Sequence, residues 1–203
     1  VRMQVNSATT SIAISQVVKA WAEAGLRLNP EYQRGSVWKT RQQQLLIDSV
    51  LRGYPLPRFY FYGEKATDLL GGVTSTYMII DGLQRIKALS DFKAGKWLLL
   101  DPARETGLFP RGIREVPCPW ANRSFDDLAP SLQDVFMATQ LPVVLIDSFD
   151  SEDEGRDLFI RLQAGTALTR QQVRDAWPGN VGPFIERLAG KLSQHPRYDF
   201  LAR

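Results

Sequence analysis

The segment TYMIIDGLQRIKALSDF, Thr76 to Phe92, constrains the fold of this chain more than any other stretch. Apolar-leaning residues run straight into Asp81-Gly82, and Ile86, Leu89 and Phe92 then recur at helical spacing up to a stop at Gly95. A strand must therefore become a helix across two residues. The first N–H groups of such a helix have no partner within it, and its dipole favours an anion. A glycine at the junction lets the backbone approach a ligand closely. Asp81 is placed to cap the helix or to hold a hard cation such as Mg²⁺. In the first turn, Gln84 can orient a water and Arg85 can present a fork of donors matched to phosphate. The same residues also fit a plain capped turn with Arg85 in solvent.

Around this junction the chain is cut into short pieces. Ser11 to Gly25 reads as an extended piece followed by a helix, and residues 26–38 as a loop punctuated by Asn29-Pro30, because Pro30 biases Asn29 away from helix. Residues 39–53 place Leu45, Leu46, Ser49 and Val50 on one helical face, with Gly53 as the stop. Tyr54 to Gly63 passes from a Pro-rich stretch into an aromatic strand, residues 63–75 read as a hairpin loop, and Trp97 to Asp101 as another short strand. Pro102 to Pro119 is an irregular excursion. Next come a helix over 124–140 with Ser124 as N-cap, a buried strand over 141–149, and a helix over 151–165. Two more helical stretches, 166–177 and 181–195, complete the sequence. Strands do not alternate strictly with helices. The predicted class is therefore α+β, a small mixed sheet with flanking helices and a helical C-terminal third, rather than a doubly wound sheet. The 203 residues suit a single domain, and the absence of an obvious tail makes a piece of a longer chain the expectation.

Composition narrows the chemistry. With 44% hydrophobic and 23% charged residues, and ten Phe and five Trp to fill a core, the chain reads as globular. No apolar run approaches the ~20 residues of a membrane span. One cysteine, Cys118, rules out an internal disulfide framework and makes the cytoplasm the expected location. The single His195 argues against a His-based metal site or a Ser-His-Asp triad, so carboxylates, Arg, Gln and backbone groups must carry any chemistry. A net charge of +3 is compatible with a phosphate-bearing partner.

Two further stretches hold candidate residues. In NPEYQRGSVW, Tyr32, Gln33, Arg34 and Trp38 combine arginine with aromatics, which suits a phosphate and a stacked base, or equally a loop that plugs the core edge. In LFIRLQAGTALTRQQVRDAW, Arg161, Gln163 and Arg174 can line a site, or be solvated or salt-bridged. The acidic run Asp150 to Asp157 suits a helix start without any metal. Cys118, between two prolines, reads as a structural thiol.

These three blocks, in this order and at roughly this spacing, resemble the DGQQR-motif domain of unknown function that forms the N-terminal part of GmrSD-type restriction proteins and related phage-defence proteins. The resemblance runs from about residue 26 to residue 176, with 177–203 as a helical extension. It implies a ParB/sulfiredoxin-like fold and one nucleotide-binding domain over 1–203, in which a Gly-x-x-Arg turn at a helix start receives nucleotide phosphates. It further implies binding of a nucleoside triphosphate with Mg²⁺ and its hydrolysis, used to control cleavage of modified or foreign DNA by a separate nuclease domain or subunit. On that basis Gly82, Arg85, Arg34, Tyr32, Trp38, Arg161, Gln163 and Arg174 bind the nucleotide. Asp81 holds Mg²⁺ or a water, and Asp81, Gln84 and Gln33 serve hydrolysis. Asp81, Gly82, Gln84 and Arg85 match the motif, while Leu83 stands where the family usually has its first Gln. Gly165, Leu168, Arg174 and Ala176 match the third block, while Gln163 replaces the usual Asn and Gln172 a common Glu. These departures bear on hydrolysis more than on binding. The rival reading is a ParB-like DNA-binding module without catalysis; no membrane is expected as a partner, and an oligomer is not excluded.

Overall fold

The computed structural model describes residues 6–28, 38–67, 73–149 and 152–164, and these fall into two units. The larger, within 5–148, holds five strands and five helices: β1 (Asn6–Ala13), α1 (Ile14–Ala22), β2 (Leu26–Leu28), α2 (Thr40–Leu51), β3 (Phe59–Thr67), β4 (Val73–Asp81), α3 (Leu83–Lys93), α4 (Arg111–Arg114), α5 (Pro130–Ala138) and β5 (Gln140–Ser148). The smaller contains α6 (Glu152–Ala164). The α+β class is as expected, and the element order does not contradict a ParB-like arrangement. Among the described residues no helix is long and apolar enough to cross a membrane.

The strands form one sheet in the order β1-β5-β3-β4-β2. β3 and β4 make an antiparallel hairpin with Gly63 opposite Tyr77 and Thr67 opposite Val73. β1 lies antiparallel to β5, whereas β5 runs parallel to β3 and β2 parallel to β4. Central position shows in the side chains. Phe59 and Phe61 of β3 are buried, as are Leu141, Val143, Val144 and Ile146 of β5, which is the near-continuous burial of strands paired on both sides. Ile86, Leu89 and Phe92 of α3 pack on this layer as their spacing predicts. Phe92 meets Phe136 of α5 and Phe125 edge-on, with ring centroids 5.4 Å and 5.9 Å away, the geometry that aromatic quadrupoles favour.

Several predicted boundaries move, each for a physical reason. The 63–75 hairpin loop is mostly strand, because β3 extends to Thr67 and β4 begins at Val73, and pairing overrides the Gly and Ser content. Leu26–Leu28, read as loop, is a strand because a parallel neighbour in β4 satisfies its backbone. Residues 97–101, read as a strand, pair only locally: Leu99 exchanges backbone hydrogen bonds with Arg123 and Asn122, and no ladder follows. The helix predicted from Ser124 begins at Pro130, a residue preorganised for the first helical position. Ser124 instead bonds Asp127, through both its N–H and its hydroxyl, in a tight turn ahead of it. In α2 the buried face is Leu46, Ile47, Asp48, Val50 and Leu51, one step round from the predicted face, and it includes a carboxylate. The 166–177 and 181–195 stretches lie outside the described residues.

Candidate functional site

Three helix starts show why the β4–α3 junction differs. α1 and α2 lack a capping Ser, Thr or Asp, yet each closes its first turn with a glutamine. Gln16 Oε1 accepts from the Ala13 N–H at 3.3 Å, and Gln42 Oε1 accepts from the Lys39 N–H at 2.9 Å. α3 has Gly82 at the N-cap with no side-chain bond, no acidic residue in its first turn, and the cation Arg85 where the other two have glutamine. Its first bonded amide is Ile86, to Gly82 O at 2.9 Å. Among the described residues the N–H groups of Leu83, Gln84 and Arg85 have no acceptor, so partial positive charge stands at the start of the helix.

The N-cap is thus Gly82 rather than Asp81, which is the last residue of β4. Gly82 is required on two counts. Its φ of 108° is a region that L side chains avoid, and a Cβ there would lie 2.5 Å from Phe59 Cδ1. The missing side chain makes room for the Phe59 ring, where ligand access was expected.

Arg85 was read as a side chain projecting free of the core, and the structure turns it inward. Its Nη1 donates to Pro57 O at 2.5 Å, and its Nη2 donates to Arg58 O at 3.1 Å and to Asp81 Oδ2 at 2.6 Å. The guanidinium carbon lies 4.3 Å from the centroid of the Phe59 ring. Burial pushes its pKa down from the ordinary arginine value, while Asp81 pulls the other way through charge and hydrogen bond; an arginine so placed stays cationic. The side chain thereby ties the β4 end, the strand approach at 57–58 and α3 into one corner, and holds one oxygen of a carboxylate that keeps 32% side-chain exposure against 9% for the arginine.

The first and second sequence blocks meet here. The Trp38 N–H donates to Gln84 Oε1 at 3.2 Å, across 46 residues of sequence. Because that partner is an N–H, the facing atom has to be the oxygen, which directs the amino group of Gln84 away from Trp38. Trp38 itself is half-buried and packs against the core, as does Leu83. Cationic residues neighbour the junction along the chain: Lys39 follows Trp38, Arg58 supplies one of the Arg85 acceptors through its carbonyl, and Lys87 lies one turn along α3 from Gln84. None of the three has a carboxylate partner among the described residues.

The other predicted site residues are distributed differently. Tyr32, Gln33, Arg34 and Arg174 lie outside the described residues, as do Gly165, Leu168, Gln172 and Ala176. Gln163 lies on α6 with its backbone described. Arg161, on the same helix, is exposed and bonds Asp157 one turn back at 2.7 Å.

A second buried ion pair escaped the sequence reading. Asp48, inside α2, accepts from Arg52 Nε at 2.7 Å and from Trp120 Nε1 at 2.9 Å, and the Arg52 guanidinium sits 5.3 Å from the Trp120 ring centroid. The hydrogen bond with Asp48 raises the pKa of Arg52, and burial raises that of the nearby Cys118 thiol. The available signal was the Asp-x-x-x-Arg spacing on a predicted helix. Among the described residues no three His, Cys, Asp or Glu side chains cluster to hold a metal.

Comparison with known proteins gives one family. The family described as GmrSD restriction endonuclease, N-terminal domain, matches residues 18–177 of the chain. No curated protein matches it.

Proposed function

The chain belongs to the GmrSD restriction endonuclease N-terminal domain family, which implies a role in a restriction or defence system, and on that premise we propose that it binds a nucleoside triphosphate at the start of α3 and hydrolyses it to regulate DNA restriction. The observation that carries this reading is the Trp38–Gln84 hydrogen bond, which brings the end of the first block onto the helix start of the second, beside unpaired backbone amides. The phosphates would lie against the Leu83, Gln84 and Arg85 N–H groups, with Lys39, Arg58 and Lys87 supplying long-range attraction.

Arg85 serves through its backbone amide, while its side chain holds Asp81 in place. A single half-buried carboxylate fits Mg²⁺ only as that ion is usually held beside nucleotides, by one or two carboxylates together with substrate phosphates. Asp81 would hold it, and the ion would supply charge neutralisation on the transferring phosphoryl group. The Gln84 amino group, free of Trp38, is placed to orient a water. Gln33, Arg34 and Tyr32 on the first block complete the proposed binding set; Trp38 belongs to it through its backbone. DNA, modified or foreign, would be engaged through a nuclease domain or subunit.

The test is titration calorimetry with the four nucleoside triphosphates and Mg²⁺, with released phosphate followed in parallel, on the wild type and Gln84→Glu. The substituted carboxylate still accepts from Trp38 and favours the helix dipole by a few tenths of a kcal/mol or more, yet it repels a phosphate. Saturable binding in the wild type, weakened at least ~10-fold in an equally stable Gln84→Glu, a loss of about 1.4 kcal/mol, is the expected result. Equal affinity in the two proteins removes α3 from the site. No binding in the wild type at millimolar nucleotide overturns the reading, and DNA affinity that falls steeply with salt would then favour the DNA-binding alternative.

A further inference from the structure

Residues 100–121 form a loop whose two ends are tied together. Leu99 donates to Arg123 O at 2.9 Å and accepts from the Asn122 N–H at 3.2 Å, and Asn122 Nδ2 donates to Asp101 Oδ2 at 3.3 Å. Between these ends the backbone bonds are local: Arg104 N–H to Asp101, Glu105 to Pro102, Phe109 to Glu105, Ile113 to Pro110 and Glu115 to Arg111. Among the described residues no backbone bond joins the loop to a strand or to a helix outside it. Its buried residues are Pro102, Phe109 and Trp120 alone. Connections of this length with little structure of their own are uncommon and are usually functional, lids among them.

One side of α2 holds the loop. Arg41, Gln44, Asp48 and Arg52 recur three or four residues apart, the spacing of neighbours on a helix surface. The ends of the loop are held by two of them: Gln44 Nε2 donates to Leu98 O at 2.6 Å, and Asp48 accepts from Trp120 Nε1 at 2.9 Å. The stretch between is held by the other two. Arg41 pairs with Glu105, at side-chain exposures of 54% and 25%, and the Arg52 guanidinium lies 5.9 Å from the Phe109 ring centroid. An ion pair so exposed contributes little. Few buried residues and only local backbone bonds are the marks of a segment that opens by itself.

We propose that residues 101–119 open and close as one lid on α2, hinged at the Leu99–Asn122 clasp and latched by Glu105 and Phe109, while the sheet stays folded. The open state bares the side of Arg52 that Phe109 covers, and Asp48 keeps its bond to Trp120.

Native-state hydrogen exchange tests this on the wild type, Arg41→Ala and Ile146→Val. Ile146 is buried on β5, outside the cluster that contains Leu99 and Trp120, so Ile146→Val weakens the sheet equally with the lid open or closed. In the wild type the amides of 104, 105, 109 and 113–115 should share one opening equilibrium, reached more readily than that of the β3 and β5 amides. Ile146→Val should speed sheet exchange roughly 2- to 10-fold and leave the loop amides at the wild-type rate. Arg41→Ala should speed all the loop amides by one common factor, about 2- to 5-fold. Loop amides that accelerate together with the sheet in Ile146→Val overturn the proposal, because the loop then opens only when the whole fold does. Uneven responses to Arg41→Ala overturn it as well, because the loop then frays residue by residue.

Discussion

Asp81–Arg85 and Asp48–Arg52 are the same sequence device, an aspartate and an arginine four residues apart with the guanidinium set against an aromatic ring, and the fold uses them in opposite senses. At the β4–α3 junction the arginine is the interior partner and the carboxylate keeps 32% side-chain exposure. In α2 the carboxylate is interior, at 9%, and the arginine reaches outward at 18%. Asp48 spends both oxygens inside, on Arg52 and on Trp120. Asp81 commits Oδ2 to Arg85 and leaves the rest of its carboxylate toward solvent. The α2 pair therefore fastens Trp120, just past the irregular 102–119 stretch, to a helix, whereas the junction pair leaves part of a carboxylate toward solvent. Spacing alone does not say which partner of such a pair is buried.

That contrast sets an order of expected losses in chemical denaturation. Arg85→Ala, which strands Asp81 and two backbone carbonyls and empties the space over Phe59, should cost the most, about 3–5 kcal/mol. Asp48→Ala should follow at about 2–4 kcal/mol, leaving Arg52 and Trp120 Nε1 without their acceptor. Gly82→Ala should cost about 2–3 kcal/mol through its positive φ and the Phe59 contact, with part regained in a Phe59→Leu background. The corresponding partner deletions should be milder: about 2 kcal/mol for Arg52→Ala, and about 1 kcal/mol for Asp81→Ala, discounted for its exposure. If the two arginines cost the same, or Asp81 costs as much as Asp48, the contrast between the two pairs fails.

The smallest effect concerns Cys118. Burial raises its pKa in the folded chain, so the protonated thiol is favoured by folding. Its contribution to stability is fully present below the ordinary thiol value of about 8.5 and is lost as pH climbs through the raised folded value. Alkylation near neutrality should be slow, and the alkaline loss of stability in the wild type should be reduced in Cys118→Ser. An unchanged alkaline profile in Cys118→Ser would assign the loss to other groups.

Much of this was legible in the order of residues. The helical spacing of Ile86, Leu89 and Phe92, the strand running into Asp81-Gly82, and the glycine stops at Gly53 and Gly95, both at a φ of 69°, are local properties that short-range sterics enforce. They were sufficient for the α+β class and for the strand-to-helix junction at Asp81-Gly82. The chain by itself did not specify which strands pair. Leu26–Leu28 becomes a strand only because β4 runs beside it, and Trp97–Asp101 fails to become one because no neighbour offers a ladder. Nor did it specify which side of a charged pair is buried. Arg85 reads as a donor aimed at a phosphate until Pro57, Arg58, Asp81 and Phe59 are seen to enclose it. Local sequence fixes backbone conformation over a few residues, but burial is a sum over neighbours brought from distant parts of the chain. The direction of a side chain was settled by the tertiary structure.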